Sequence, residues 1–487
     1  MALSFRDRRF LRLALCAIAA LAATVVVALS GTPASAAPAA RAGLTTSAVS
    51  FTGGDGVVLH GTVVAPATAG GKRPGIVLVS GAGPQRGADD LPEAEAFARG
   101  GVVSLVYDKR TVGYSQFSRS YSLLADDALA AFRLLRDSPG VDPDRVGLWG
   151  ESEGAWVVSL AAAGSPQVAF LVTVGAVGVT PARQTAWNYV DDLRHAGVSG
   201  SLIPAMQQTA TRLVVGIGLF PEADYDPIPA WEHVRQPVLA LWGDEDQQVP
   251  VAESARNIQS ALERAGNQHY TIRFLPNAGH GLHVPENGGF EGGSLVTAPG
   301  VSAIAPGYPE LVTSWIDGLA HGAPAATAQP NPHQASAASP QSLPLAPLGW
   351  YESPWIQLGA LTLFLLAFAA WPLASALRRR PLPPLVRLPA RALIVTGLVS
   401  VLGLTLYMLF MLETAASMPG PTVVGRPLPW LALQILAAVA LAATIVTAAA
   451  WRRASSHMRR DRARLAVLLA AGVVYVLWAL YWGLLVP

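Results

Sequence analysis

The chain is poor in cysteine and in charge. Its one cysteine, Cys16, excludes an intrachain disulfide framework and a cysteine-rich metal site. Charged residues make up 14% of the 487, against 52% hydrophobic ones, and the mean hydropathy is +0.38. A soluble enzyme carries more charge than this, so membrane spans are expected wherever the apolar residues cluster. They cluster at the two ends. The formal net charge is only +2, with the arginines concentrated beside the apolar runs, which gives no footing to a nucleic-acid partner. The length calls for two or three domains.

Arg6, Arg8, Arg9 and Arg12 precede an apolar run from about Leu13 to Leu29, and small residues follow, ending in Ala34-Ser35-Ala36. This order reads as a secretory signal over residues 1–36. An uncleaved anchor is the alternative. The twin arginine lacks the spacing of its export signal, and Leu15 spoils a lipobox at Cys16.

From residue 47 the pattern changes to short apolar strands alternating with helical stretches of ten to fifteen residues, the signature of a mostly parallel α/β sheet. Its centre is Gly150-Glu151-Ser152-Glu153-Gly154, a G-x-S-x-G that joins an apolar strand to a helix-forming run. In that context the serine sits on a sharp strand-to-helix turn with its hydroxyl exposed. The helix N-terminus behind it favours the negative charge that develops during acyl transfer.

A serine nucleophile needs a base, and the base needs a carboxylate to fix its tautomer. Asp246 and His280 each lie shortly after an expected strand, at the same sheet edge as Ser152. Asp244 and Glu245 compete for the acid role. Asp246 is preferred because it lies three residues before Val249-Pro250, where the next helix is about to start. His283 competes with His280, whose flanking Gly279 and Gly281 favour it. The oxyanion donors are expected to be the backbone amides of Ala82, in the loop after an early strand, and Glu153, the residue after the nucleophile. Residues 181–219 read as helices with no strand between them, a cap over the site.

Residues 47–321 resemble the α/β-hydrolases. Ser80-Gly81-Ala82-Gly83-Pro84-Gln85-Arg86 is similar to the G-S-G-P-x-D-R oxyanion loop of one branch, and Tyr107-Asp108-Lys109-Arg110 and the S-E-G of the elbow resemble the same branch. Its members are carboxylesterases, acyl-CoA thioesterases or dipeptidyl-aminopeptidase-like serine hydrolases. The resemblance implies ester, thioester or amide hydrolysis with no metal and no cofactor. Two positions depart from the branch: Glu151 and Ser80 stand where it often has histidine. Carboxylates therefore flank the serine on both sides. One of them is expected to pair with Lys109 or Arg110, and the other to be solvated.

Residues 322–350, rich in Pro, Ala, Ser and Gln, read as a semi-extended linker. Four apolar stretches follow in residues 351–487, at about Trp355–Leu377, Ala392–Leu412, Leu428–Ala450 and Leu465–Val486. Arginines crowd the loops after the first and third, while the loop after the second has only Arg426. The positive-inside rule places the first and third loops in the cytoplasm and the hydrolase domain, 37–321, outside. No Asp, Glu, Lys, Arg or His lies within the four spans, which favours an anchor, a lipid-facing platform or a partner-binding module over a transporter. The expected protein is a membrane-anchored extracytoplasmic serine hydrolase acting on small-molecule or lipid esters. Rival readings are a small-peptide or thioester hydrolase, an acyltransferase, and a non-catalytic hydrolase fold that serves a four-helix transmembrane bundle.

Overall fold

The computed structural model describes residues 43–68, 70–285, 288–290, 302–330, 341–377, 384–453 and 459–487. The expected signal segment, 1–36, lies outside the described residues, as does part of the expected linker.

The first half is a nine-stranded sheet flanked by helices. In chain order its elements are β1 (Leu44–Thr52), β2 (Val58–Pro66), β3 (Arg73–Val79), α1 (Leu91–Arg99), β4 (Val103–Tyr107), α2 (Tyr121–Arg136), β5 (Val141–Glu151), α3 (Glu153–Gly164) and β6 (Leu171–Val174). Helices α4 (Pro181–His195) and α5 (Thr211–Gly216) follow, then β7 (Val238–Gly243), α6 (Val251–Arg264), β8 (Tyr270–Leu275), α7 (Tyr308–Gly318) and β9 (Thr327–Ala328). The spatial order is β1-β2-β4-β3-β5-β6-β7-β8-β9. Strand β2 pairs antiparallel with β1 and β4, and every other pairing is parallel.

A parallel sheet covered on both faces needs strands that are apolar throughout. In β3, Val77 and Val79 join one core with Leu135 of α2 and Val158 of α3, whereas Ile76 and Leu78 join another with Phe97 of α1 and Tyr308 of α7. Helix α2 shows how the local code works. The Ser120 hydroxyl accepts the Leu123 amide at its start, and Leu124, Ala128, Ala131 and Leu135 bury one stripe. Helix α3 is apolar all round and correspondingly buried.

The stretch expected to be only a linker does more. Thr327 and Ala328 add the edge strand β9 beside β8, and the Gln329 side chain accepts the Phe274 amide at 2.9 Å. Further on, the Ser342 amide donates to Glu253 of α6 and the Ala346 amide to Gln208, so this segment lies against α6 and the 181–219 region.

Beyond residue 350 come α8 (Pro354–Leu377), α9 (Pro384–Glu413), α10 (Leu428–Arg453) and α11 (Arg459–Tyr481). Among the described residues two segments, Val386–Glu413 and Leu428–Arg452, are long and apolar enough to cross a membrane. Pro354–Phe368 and Leu465–Tyr481 are shorter apolar helices over the described residues. Of the four expected spans, two are thus matched by helices long and apolar enough over the described residues.

The 181–219 region and these helices share one hydrophobic core. Leu193, Leu202 and Met206 of the 181–219 region pack with Phe364, Met411, Trp430 and Tyr475. Arg212 and Glu352 close the seam with a 2.5 Å ion pair, both side chains largely buried.

Candidate active site

Ser152 ends β5 and starts α3 with φ 50° and ψ −112°, a left-handed backbone held by a side-chain-bearing residue. Such a conformation costs on the order of 1–3 kcal/mol and persists only where its surroundings impose it. Here the imposition is steric. A Cβ on Gly150 would collide with the Gly154 carbonyl, and one on Gly154 with the Val79 carbonyl. The two glycines let the helix start directly against β3, and the turn between them throws Ser152 outward. Its amide is tied to the Val174 carbonyl of β6 at 2.9 Å.

Asp246 follows β7 and is completely buried. Its Oδ1 accepts the amides of Gln248 at 2.9 Å and Val249 at 3.3 Å, while Oδ2 lies 2.8 Å from His280 Nδ1. The two amides fix the carboxylate's orientation, and the carboxylate fixes the imidazole. Of the three neighbouring acids, Asp246 is the one that meets the histidine. His283 turns elsewhere, its Nε2 lying 2.5 Å from Glu93 of α1. The seat of His280 is Gly175, just after β6: a Cβ there would stand 2.7 Å from His280 Cε1, and φ is +56°. Sequence reasoning missed Gly175, although a glycine closing a strand at this sheet edge is the available signal.

The loop carrying Ala82 runs beside the elbow, with a Cβ on Gly81 falling 3.6 Å from Ser152 Cβ. Ala82 is exposed, and its amide donates to no acceptor among the described residues. The Glu153 amide opens α3, where no intrahelical acceptor exists for it. Both expected donors thus lack an acceptor among the described residues.

The loop is braced on both sides of Ala82. Lys109 Nζ donates to the Gly81 carbonyl, and the Tyr114 hydroxyl accepts the Gly83 amide at 2.9 Å. Both braces end on one carboxylate: Glu153 Oε1 receives Lys109 at 3.1 Å and Tyr114 at 2.7 Å, and Oε2 receives Arg119 at 2.5 Å. Of the two expected partners for the elbow carboxylates, Lys109 is therefore the one used. Arg110 instead forms a bidentate pair with Asp127, at 2.6 and 2.7 Å. Tyr114 and Arg119 went unread in the sequence. Burial pushes the Lys109 ammonium down, and Glu153 opposes that shift.

Glu151 is partly buried rather than solvated. A Cβ on Gly281 would come 3.1 Å from its Oε1, so the carboxyl lies against the histidine loop. Desolvation raises its pKa, while the nearby His280 acts the other way. Behind the oxyanion loop the Ser80 hydroxyl donates to Asp90, whose carboxyl is pushed up to about 8 by burial and then by Glu151. Among the described residues no group of three or more His, Cys, Asp or Glu is arranged to hold a metal.

The model of the prolyl oligopeptidase family matches residues 123–292, from α2 through the His280 loop. The fold is that of an α/β-hydrolase. Over 130 residues the chain is 32% identical to polyketide transferase claH of Penicillium crustosum, covering 25% of this chain and 42% of that protein. Over 124 residues it is 35% identical to thiohydrolase apmlB of Arthrinium phaeospermum, covering 25% of this chain and 39% of that one. The similarity thus spans less than half of either relative. Among solved structures, the dienelactone hydrolase of Anabaena variabilis superposes with a TM-score of 0.36 at 18% identity, over 58% of this chain and 100% of that one.

Proposed function

We propose that this α/β-hydrolase is a serine hydrolase that cleaves carboxylic esters through an acyl-enzyme. Ser152 Oγ attacks the acyl carbon and its proton passes to His280. The amides of Ala82 and Glu153 hold the oxyanion of the tetrahedral intermediate. The intermediate collapses, expelling the alcohol with that proton, and water deprotonated by His280 then releases the acid and restores Ser152. Asp246 keeps His280 in the tautomer that accepts at Nε2. The observation that carries the reading is the strained Ser152 at the head of α3, at the same sheet edge as a buried His280–Asp246 pair 2.8 Å apart.

A thioester or acyl-transfer reaction on the same residues is the second reading. It is favoured by the names of the two relatives, a thiohydrolase and a polyketide transferase. The family match to prolyl oligopeptidases adds amide bonds to the panel that must be tested.

The membrane reading rests on α9 and α10. Only 44% and 33% of their most apolar windows are buried within the protein, too little for core helices of a soluble domain. Leu402, Leu406, Ile435 and Ile445 are among the large side chains left exposed. The arginine bias of the loops, with the N-terminal signal pattern, supports a hydrolase held on the extracytoplasmic side by four helices.

The test of the reaction is a substrate panel on the full chain in detergent: matched p-nitrophenyl esters, thioesters and aminoacyl p-nitroanilides of equal acyl length. Ester turnover that exceeds amide turnover and is abolished in Ser152→Ala supports the first reading. Thioester turnover dominating at equal acyl length moves it to the second.

A further inference from the structure

A cavity of about 220 Å³ lies at the seam between the cap and the membrane helices. Leu213, Val214 and Ile217 wall it on the cap side, and Leu361, Leu404 and Met408 on the other. Only two of its lining side chains are polar, and both are already engaged. Gln357 Oε1 accepts the indole N–H groups of Trp478 at 3.1 Å and Trp482 at 3.4 Å, and its amide donates to the Tyr351 carbonyl. Thr405 donates to the Val401 carbonyl at 2.9 Å. Nothing in the wall asks for a polar ligand. At this volume the site is smaller than the roughly 300–1,000 Å³ of pockets that enclose a whole small molecule. A single chain end fits that description.

Its depth says which chain. Trp350, Tyr351 and Trp355 are 81%, 51% and 42% exposed where α8 begins, the position of an interfacial aromatic belt. Pro354, beside Trp355, and Leu361, six residues further along α8, both line the cavity, so it runs from the level of that belt to about 9 Å below it at 1.5 Å rise per residue. Leu366, Leu402 and Leu406, exposed on the same helices, continue an apolar surface from the cavity wall. The cap side enters this seam through a π-helical segment, Ala205–Ala210, whose last residue lines the cavity. Such widened turns are rare and are frequent at functional sites.

We propose that the cavity binds one acyl tail of a bilayer lipid, so that lipid fills the joint between the cap and the membrane helices. A tail gains no hydrophobic free energy by leaving the bilayer. The driving force is packing, because atoms facing a void forfeit the contacts an inserted chain restores. This inference rests on the membrane reading above and is independent of the hydrolytic one.

The test reconstitutes the full chain in phosphatidylcholine vesicles containing a phosphatidylcholine with a diazirine near the end of one tail. After a carbonate wash and irradiation, labelled peptides are mapped. Retention in the washed vesicles tests the membrane reading by itself. The cavity is supported if label concentrates on the peptides spanning 210–219 and 354–361. Leu213→Trp and Leu404→Trp should each reduce that label at least fivefold, with label at Leu366 unchanged and the melting temperature within a few degrees of wild type. Label spread evenly over the exposed helix faces of the wild type overturns the proposal without any variant. So does labelling by a free diazirine fatty acid but not by the phospholipid. The third contrary outcome is a cross-link from Cys16 to Leu361→Cys with no lipid label, which would seat the N-terminal apolar run in the cavity instead.

Discussion

The Tyr114 hydroxyl lies 2.7 Å from the Glu153 carboxylate, to which it donates, and the same oxygen accepts the Gly83 amide. One side chain thereby links the residue after the nucleophile to the loop that presents Ala82. It also bears on the proposed mechanism, which sets a carboxylate beside a developing oxyanion: three donors hold Glu153 and offset its charge. Tyr114→Phe removes the link and leaves the ring in place. Turnover should fall about tenfold with KM little changed. That is less than the 10²–10³ that follows loss of a direct oxyanion donor, because the amide is loosened rather than deleted. An unchanged kcat would remove the brace from the account.

Glu153→Gln is a different experiment. It takes the charge from between Lys109 and Arg119, whose side chains are 6% and 14% exposed. Breaking a buried pair by removing one partner costs about 3–5 kcal/mol. We expect a lower melting temperature together with lost activity, and Tyr114→Phe should separate from it by melting near wild type.

Gly175→Ala tests the seat of the histidine. The added methyl would meet the His280 ring at 2.7 Å, on a backbone with φ +56°. Activity should fall by two or more orders of magnitude while the sheet survives, as read by circular dichroism. His283→Ala should keep most of the activity, since His283 pairs with Glu93 rather than Asp246. A larger loss in His283→Ala than in His280→Ala would reverse the assignment.

Asp90 supplies a pH-dependent term. Folded, burial pushes its carboxyl up to about 8, from an ordinary aspartate value of about 4 in the open chain. Between those values the unfolded state binds fewer protons, so stability falls as pH rises from about 4 to 8. Asp90→Asn cannot ionise and can still accept from Ser80. Its melting temperature should match or trail the wild type at pH 4.5 and exceed it at pH 8, by on the order of a few kcal/mol in stability. Parallel curves for the two proteins would contradict the burial argument.

Much of the sheet was legible because a doubly covered parallel strand must be an apolar run, and each run here is closed by glycine or polar residues. That same punctuation located Ser152, Asp246 and His280 at one edge. Pairing was less legible. Whether Lys109 or Arg110 would meet an elbow carboxylate depends on which side of the loop after β4 each faces, and Asp127, seventeen residues on, claims Arg110. One elbow carboxylate was expected in solvent, but Glu151, the one left once Glu153 is paired, is confined by the closeness of the Gly81 and Gly281 loops. Strand β9 has two residues and no periodicity to read. The core that residues 181–219 share with α8 to α11 was hidden for a related reason: α4 shows an apolar stripe, but a stripe does not name the surface it meets.

The most direct measurement is labelling of the full-length protein with a fluorophosphonate, followed by mapping of the modified peptide. One adduct is expected, on Ser152, absent in Ser152→Ala and formed more slowly by orders of magnitude in His280→Ala and Asp246→Asn. A folded wild type that takes no label, or takes it on another serine, would contradict it.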